Sequence, residues 1–224
     1  MSAEQQVMSF ENPLVLDVSS PCVQAGIAGE TGWRKIVDCP APPMQGVFQS
    51  VTQLTHELKI SANEIDAVFF CAGPGSTLGL RLALAFVKTL QWQRKNDLQL
   101  FSYNALDLAS QMIDPPPHFL QAPFRMGWRI IRSSPDANPI GQKEILETEE
   151  ALKKFPSSIH LEDPRKKSSG PQTENFLQYQ LKKVRGLSAL LSVSELTEEL
   201  TIYSPRPPEF KKWIPQIQFL SPDG

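Results

Sequence analysis

Apolar and polar positions in the first half of this 224-residue chain switch between two periods. Leu14, Val15, Leu16 and Val18 form a short apolar run interrupted by Asp17 and closed by Ser19 and Ser20, the pattern of a buried strand over residues 14–18. Residues 22–28 follow, with Cys22, Gln24, Gly26 and Ala28 alternating against Val23, Ala25 and Ile27. A third strand over 33–37 comes after the turn Gly29-Glu30-Thr31-Gly32, and two tight connections in succession predict an antiparallel meander. The period then lengthens. Met44, Val47, Phe48, Val51, Leu54 and Leu58 fall on one stripe of a helix over 44–59, whose outer face, Gln45, Gln49, Thr52, Gln53 and His56, is polar but mostly uncharged. Ser61-Ala62-Asn63-Glu64 is a capping-box pattern for a brief turn. An apolar strand over 67–72, a long helix over 76–94, a strand over 98–101 and a helix capped by Asn104 and running to 112 complete the half, with Asp107 near that helix's positive end.

Three strands, then helix, strand, helix, strand, helix is the order of the ribonuclease-H-like half of an actin-like (ASKHA) α/β fold. The second half differs in composition: it holds fourteen of the 20 prolines, including Pro115-Pro116-Pro117. Its polar stretch over 156–173, with Arg165, Lys166, Lys167, Ser168, Ser169 and Gly170, cannot build a core and predicts a mobile loop. We therefore expect a regular N-terminal subdomain over 1–112 and a divergent, degenerate, proline-rich subdomain over 113–224, with no internal repeat visible in the sequence.

Two segments of the first half stand out. In Gly73-Pro74-Gly75-Ser76-Thr77-Leu78-Gly79-Leu80-Arg81, the glycines let the backbone turn sharply from strand to helix, and a helix N-terminus follows. That geometry cradles phosphate in some proteins, but no GKS or GKT follows, so it is not a P-loop. We read Gly73, Pro74, Gly75, Ser76, Gly79 and Arg81 as a structural glycine loop. In the helix itself, Leu78, Leu80, Leu82, Ala83, Leu84, Ala85, Phe86, Val87 and Leu90 cover nearly the whole circumference, leaving a narrow charged sector at Arg81 and Lys88. One side can lie on the sheet; the other needs a second layer or a partner protein. The uncharged outer face of the preceding helix is inexpensive to desolvate and points the same way.

Composition narrows the class. Mean hydropathy is −0.24 and no apolar run approaches the ~18 residues of a membrane span, so no transmembrane helix is expected. Met1 to Gln6 has no basic or apolar region of a secretory signal, and a cytoplasmic protein is expected. Cys22, Cys39 and Cys71 lack CxxC spacing, which argues against a disulfide framework or a zinc ribbon. A net charge of −2 argues against an autonomous nucleic-acid binder.

At this point the chain resembles a known family. Leu14-Val15-Leu16-Asp17-Val18-Ser19-Ser20, then Gly73 to Arg81 and Leu82-Ala83-Leu84-Ala85, look like TsaB (also called YeaZ), whose members carry an LALDTS-type first strand and GPGSFTGLR opening a helix. Tyr203-Ser204-Pro205-Arg206-Pro207-Pro208 resembles the family's closing YLR-P segment. The resemblance implies an actin-like fold and a non-catalytic subunit without a cofactor. Such a subunit pairs with TsaD, which threonylcarbamoylates the tRNA adenosine next to the anticodon (position 37). The ATPase TsaE joins the pair, and tRNA is met only through the complex. The family's pairing surface is built from the two first-half helices; here its anchors would be Leu78, Leu82, Ala85, Phe86 and Thr89 with Gln45, Gln49 and Thr52, and the same face could make a homodimer when the partner is absent. The sequence departs from the family at Thr77-Leu78, where Phe-Thr is usual. It departs again at Pro123-Phe124-Arg125-Met126-Gly127-Trp128, where a DARMGEVY-like segment is usual; Pro123 lacks a backbone donor and predicts an edge strand or bulge.

Catalytic readings find little support in residue types. His56, His118 and His160 are too far apart for the HxxxH metal pair of TsaD-like enzymes, and each reads as a surface residue. Asp17 sits where actin-like ATPases place their magnesium-side aspartate, but the phosphate-loop glycine is replaced around Ser19 and no Gly-Gly adenosine motif follows. An actin-like small-molecule kinase or ATPase is nevertheless the alternative function. For a protease, Cys71 or Ser76 would be the nucleophile and His56 the base, with no spacing that joins them; Cys71 reads as a small core residue. The pairs Lys153-Lys154, Lys166-Lys167, Lys182-Lys183 and Lys211-Lys212 lie amid glutamates and read as solvated faces.

Overall fold

The computed structural model describes residues 9–95, 97–136, 138–162 and 175–203. The lysine pairs at 166–167 and 211–212, the closing segment after Tyr203 and most of the polar stretch over 156–173 lie outside them.

The meander forms as its alternation predicts: β1 (Pro13–Asp17), β2 (Val23–Ala28) and β3 (Trp33–Cys39) pair antiparallel in succession. α1 (Pro43–Leu58) follows, starting at a proline whose missing N–H costs nothing in the first turn. After it, Ser61 and Glu64 close the expected capping box around a single 3-10 turn. β4 (Ala67–Gly73) adds parallel to β1, α2 (Thr77–Gln93) crosses over, and β5 (Gln99–Asn104) adds parallel to β4. Asn104 then caps the short α3 (Ala105–Ser110), its side chain accepting from the Leu106 N–H at 3.0 Å. The spatial order β3-β2-β1-β4-β5 is the ribonuclease-H-like arrangement. β1 and β4 are buried along nearly their whole length, as central strands covered on both faces must be.

The second half repeats this order in reduced form. β6 (Phe119–Arg125), β7 (Trp128–Ser133) and β8 (Gln142–Glu147) make a second antiparallel meander. α4 (Thr148–Lys154) follows, and β9 (Ile159–Leu161) and β10 (Phe176–Leu177) add parallel, giving the order β10-β9-β6-β7-β8. Strands of three and two residues carry no readable alternation, which is why the repeat is invisible in the sequence. Pro123 sits at a register shift in the β6–β7 ladder, and β6 bonds β9 only through Leu120 and Gln121, so the missing donor falls where no ladder bond is needed.

Not all of the second half stays with the second sheet. α5 (Leu187–Val193) and β11 (Ser194–Leu196) return to the first, where β11 pairs antiparallel with β5. Leu181, Val184, Leu187, Leu190 and Val193 pack there against Phe69, Phe101 and Tyr103. A simple cut at 112 therefore does not describe the layers: the chain crosses back to cover an apolar face that β4 and β5 leave open.

α3 is wedged between the layers, and all six of its residues are buried. Leu108 joins the core of the first sheet, while Leu106 and Ala109 pack against Leu120, Ala122 and Ile130 of the second. Asp107 does more than favour the helix dipole. It is 2% exposed and bonds the Nε of Arg132, itself 1% exposed, at 2.8 Å; the Gly141 N–H at 2.9 Å and the Lys143 ammonium also reach it. The remaining Arg132 nitrogens donate to the carbonyls of Pro117, Asn138 and Pro139. Removing one member of such a network strands a buried charge. Asp107→Ala is expected to destabilise the fold by about 3–5 kcal/mol, read as a fall in the urea midpoint; a loss below 1 kcal/mol would show that the network is not structural.

Candidate partner interface and the inter-sheet crevice

α1 and α2 lie side by side on one face of the first sheet. Gly79, Leu80, Ala83, Val87 and Leu90 of α2 and Val47, Val51 and Leu54 of α1 point inward. Between the helices Phe48 and Phe86 meet edge to face, centroids 5.6 Å apart. What remains outside is unusually apolar: Met44 is 64% exposed, Phe48 59%, Leu78 63% and Trp92 66%. Ala85 and Thr89 are also exposed, and Leu82 and Phe86 are half-buried. On α1, Gln45, Gln49 and Thr52 are exposed.

The spacing of these positions is informative. Leu78, Leu82, Ala85, Thr89 and Trp92 recur at alternating intervals of four and three, as do Gln45, Gln49, Thr52 and His56 on α1. That is the repeat of a seam that packs against another helix. The Thr89 hydroxyl is already satisfied by the Ala85 carbonyl at 2.9 Å, so covering it strands no donor. Beside the seam an open hollow of about 670 Å³ runs between β3 and α1, lined by Cys39, Phe48, Gln49, Thr52 and His56 among others.

Gln45, Gln49, Thr52, Leu78, Leu82, Ala85, Phe86 and Thr89, the residues singled out from the sequence, lie on or beside this double ridge, and Met44, Phe48 and Trp92 are exposed alongside them. Met44 and Phe48 belong to the apolar stripe of α1 but stand outside the core, Phe48 against Phe86. Trp92 is legible only through its seven-residue step from Ala85.

The glycine loop is a seat for α2. The Ser76 N–H donates to the Ser19 carbonyl at 2.8 Å, and the Ser76 hydroxyl caps the helix by accepting from the Gly79 N–H at 3.3 Å. A Cβ on Gly75 would lie 2.5 Å from Ser19 Cβ, and one on Gly79 only 2.2 Å from the Val18 carbonyl oxygen. Two of the amides a phosphate would need are thus spoken for, and both glycines serve close backbone approach. Arg81 points to solvent.

Asp17 lies behind this loop with no exposed surface. Its Oδ1 accepts from the Ser19 N–H at 2.8 Å and the Ser19 hydroxyl at 2.5 Å; its Oδ2 accepts from the hydroxyls of Tyr103 at 2.9 Å and Tyr179 at 2.5 Å. Burial first, and the Asp17 charge second, hold both phenols well above their usual pKa, so they remain donors. A magnesium ion needs free carboxylate lone pairs; here four donors take them. Among the described residues no group of three or more His, Cys, Asp or Glu side chains could hold a metal. The residues at Asp17 therefore do not fit the cation of an actin-like ATPase. Nearby, a cavity of about 250 Å³ opens at the ends of β4 and β5, with Asn104, Asp107, Lys143, Glu195 and Tyr203 on its walls.

The protease candidates are not brought together. Cys71 is buried, and desolvation, then the Asp17 charge, push its thiol well above the usual range. Ser76 is a helix cap, and His56 is exposed on the outer ridge of α1. His118 is exposed too. His160 is not the surface residue expected: it is half-buried between Gln121 and Arg129, and burial, then the Arg129 charge, lower its pKa.

YeaZ from Pseudomonas aeruginosa superposes on this structure with a TM-score of 0.60 at 16% identity, over 87% of this chain and 100% of YeaZ. The fold is that of YeaZ. A solved structure described as an uncharacterized protein with similarity to peptidase YeaZ from Pseudomonas aeruginosa matches with a TM-score of 0.56 at 17% identity, over 82% of this chain and 89% of that one. In sequence, residues 45–115 match the profile of the TsaD family, tRNA N6-adenosine threonylcarbamoyltransferase. No curated protein matches the chain. The profile match runs from the first turn of α1 to just past α3 and so spans nearly all of both ridge helices.

If the glycine loop is a seat, Gly79→Ala must push α2 off the end of β1. We expect a loss of about 1–3 kcal/mol in urea unfolding, with no change for Gly32→Ala, whose Cβ would meet nothing within 4 Å.

Proposed function

We propose that this chain is a non-catalytic scaffold subunit of the TsaB/YeaZ kind, which pairs with a TsaD-type enzyme for threonylcarbamoylation of the tRNA adenosine next to the anticodon. The observation that carries the reading is the exposed heptad-spaced ridge Leu78-Leu82-Ala85-Thr89-Trp92 alongside α1. Four apolar side chains more than half exposed on adjoining helices are costly in water and are relieved by a partner helix pair. The mechanism is positional: α1 and α2, seated rigidly on the sheet, hold the partner enzyme in its working arrangement.

In this reading a TsaE-type ATPase joins the pair and tRNA is contacted through the complex. The chain works in the cytoplasm; among the described residues no helix is long and apolar enough to cross a membrane. Without a partner the same ridge joins two copies of this chain. The alternative, an actin-like kinase or ATPase, draws no support from Asp17, whose lone pairs are taken by internal donors.

Co-expression with the TsaD homologue of the same organism, followed by size-exclusion chromatography with light scattering, is expected to give a one-to-one complex. Ala85→Arg is expected to abolish that complex while leaving the melting temperature of the isolated chain within a few degrees, because Ala85 is exposed. Separate elution of two folded proteins, or a variant that binds as the parent does, would reject the placement. A nucleotide-dependent rise in melting temperature of the isolated chain would favour the ATPase.

A further inference from the structure

The two sheets are joined through buried aspartates. Asp17, at the end of β1, receives the hydroxyl of Tyr179, which follows β10 on the second sheet. Two residues on, the Leu181 N–H donates at 2.8 Å to the side chain of Gln24 on β2, itself only 4% exposed. Asp107, on the helix that continues from β5, receives Arg132 of β7, Lys143 of β8 and the Gly141 N–H. Asp17 ends β1 of the first sheet, Asp107 sits on α3 between the layers, and both take donors from the second half of the chain.

We propose that Asp17 and Asp107 form a double latch that fixes the angle between the two sheets, with the Tyr103 and Tyr179 hydroxyls filling the position where an actin-like ATPase would keep its cation.

A hinge between layers works only if the contacts across it can open at low cost. Here opening would strip a buried carboxylate of a charge-assisted donor at each end, and at Asp107 it would also leave Arg132 unpaired inside the protein. α3, buried on every side between the two cores, adds an apolar wedge that opening would expose. The carboxylate that does not fit a magnesium site thus serves as an inward fastening. The consequence is a protein whose second sheet and α1/α2 ridge keep one relation, with no nucleotide-driven closure. This holds whichever partner covers the ridge.

The test places spin labels at Glu30, in the β2–β3 turn, and Glu150, on α4, in a Cys22→Ser background of the full chain; both sites are exposed, and Cys39 and Cys71 are buried. Pulsed electron–electron resonance is expected to give one narrow distance distribution, unchanged by millimolar magnesium-ADP or magnesium-ATP. Tyr179→Phe with Asp107→Asn is expected to broaden it at least twofold. A parent distribution that shifts with nucleotide, or a folded double variant that stays narrow, overturns the latch. Should the double variant not fold, Tyr179→Phe alone decides. The Glu30–Glu150 distribution of that single variant is then expected to broaden, and one as narrow as the parent's overturns the proposal.

Discussion

Three consecutive residues at the end of β1 carry an unusual share of the structure. The carbonyls of Val18 and Ser19 are approached so closely by Gly79 and Gly75 that no side chain fits between. The preceding carboxylate, Asp17, gathers Ser19, Tyr103 and Tyr179 around it. One short stretch therefore sets how deeply α2 sits on the sheet and where the second layer is held. Ala83, Val87 and Leu90 fill the side of α2 that faces the sheet, and Leu78, Ala85, Thr89 and Trp92 are left outside.

This arrangement separates two uses of a strand-to-helix turn that look alike in sequence. A glycine loop opening a helix can present amides to a phosphate, or it can let two backbones touch. Here the Ser76 and Gly79 amides have partners inside the protein and the glycines abut carbonyl oxygen, so the second use applies. The fate of Asp17 is parallel: a carboxylate that could face a cation accepts hydroxyls instead. Both features are internal fastenings of the fold.

The first half of the fold was legible because its signals are local. Alternation in β1–β3, the Ser61–Glu64 box, the Asn104 cap and the stripe of α1 each lie within one element. The second half hid its sheet because β9 and β10 are too short to show a period. α5 and β11 were missed because returning to the first sheet is a tertiary choice with no local mark. The same holds within the site. An all-round apolar α2 announced that it needed covering, and the polar side of α1 announced its outer face, but neither told that Phe48 would meet Phe86 from outside the core. Asp107 looked like a dipole partner in the sequence, since Arg132 and Lys143, which complete its network, lie more than twenty residues away. Asp17 shows the complementary limit: its place in the fold was readable, while its two tyrosine partners, Tyr103 on β5 and Tyr179 after β10, lie far along the chain.

Hydrogen–deuterium exchange on the full chain, with and without the TsaD homologue of the same organism, tests the central claim most directly, because it reads every amide without altering a residue. The account predicts that protection rises along α1 and α2, most strongly from 45 to 56 and from 78 to 92, while the second sheet exchanges as before. Protection that appears on the second sheet and leaves both helices unchanged would contradict it.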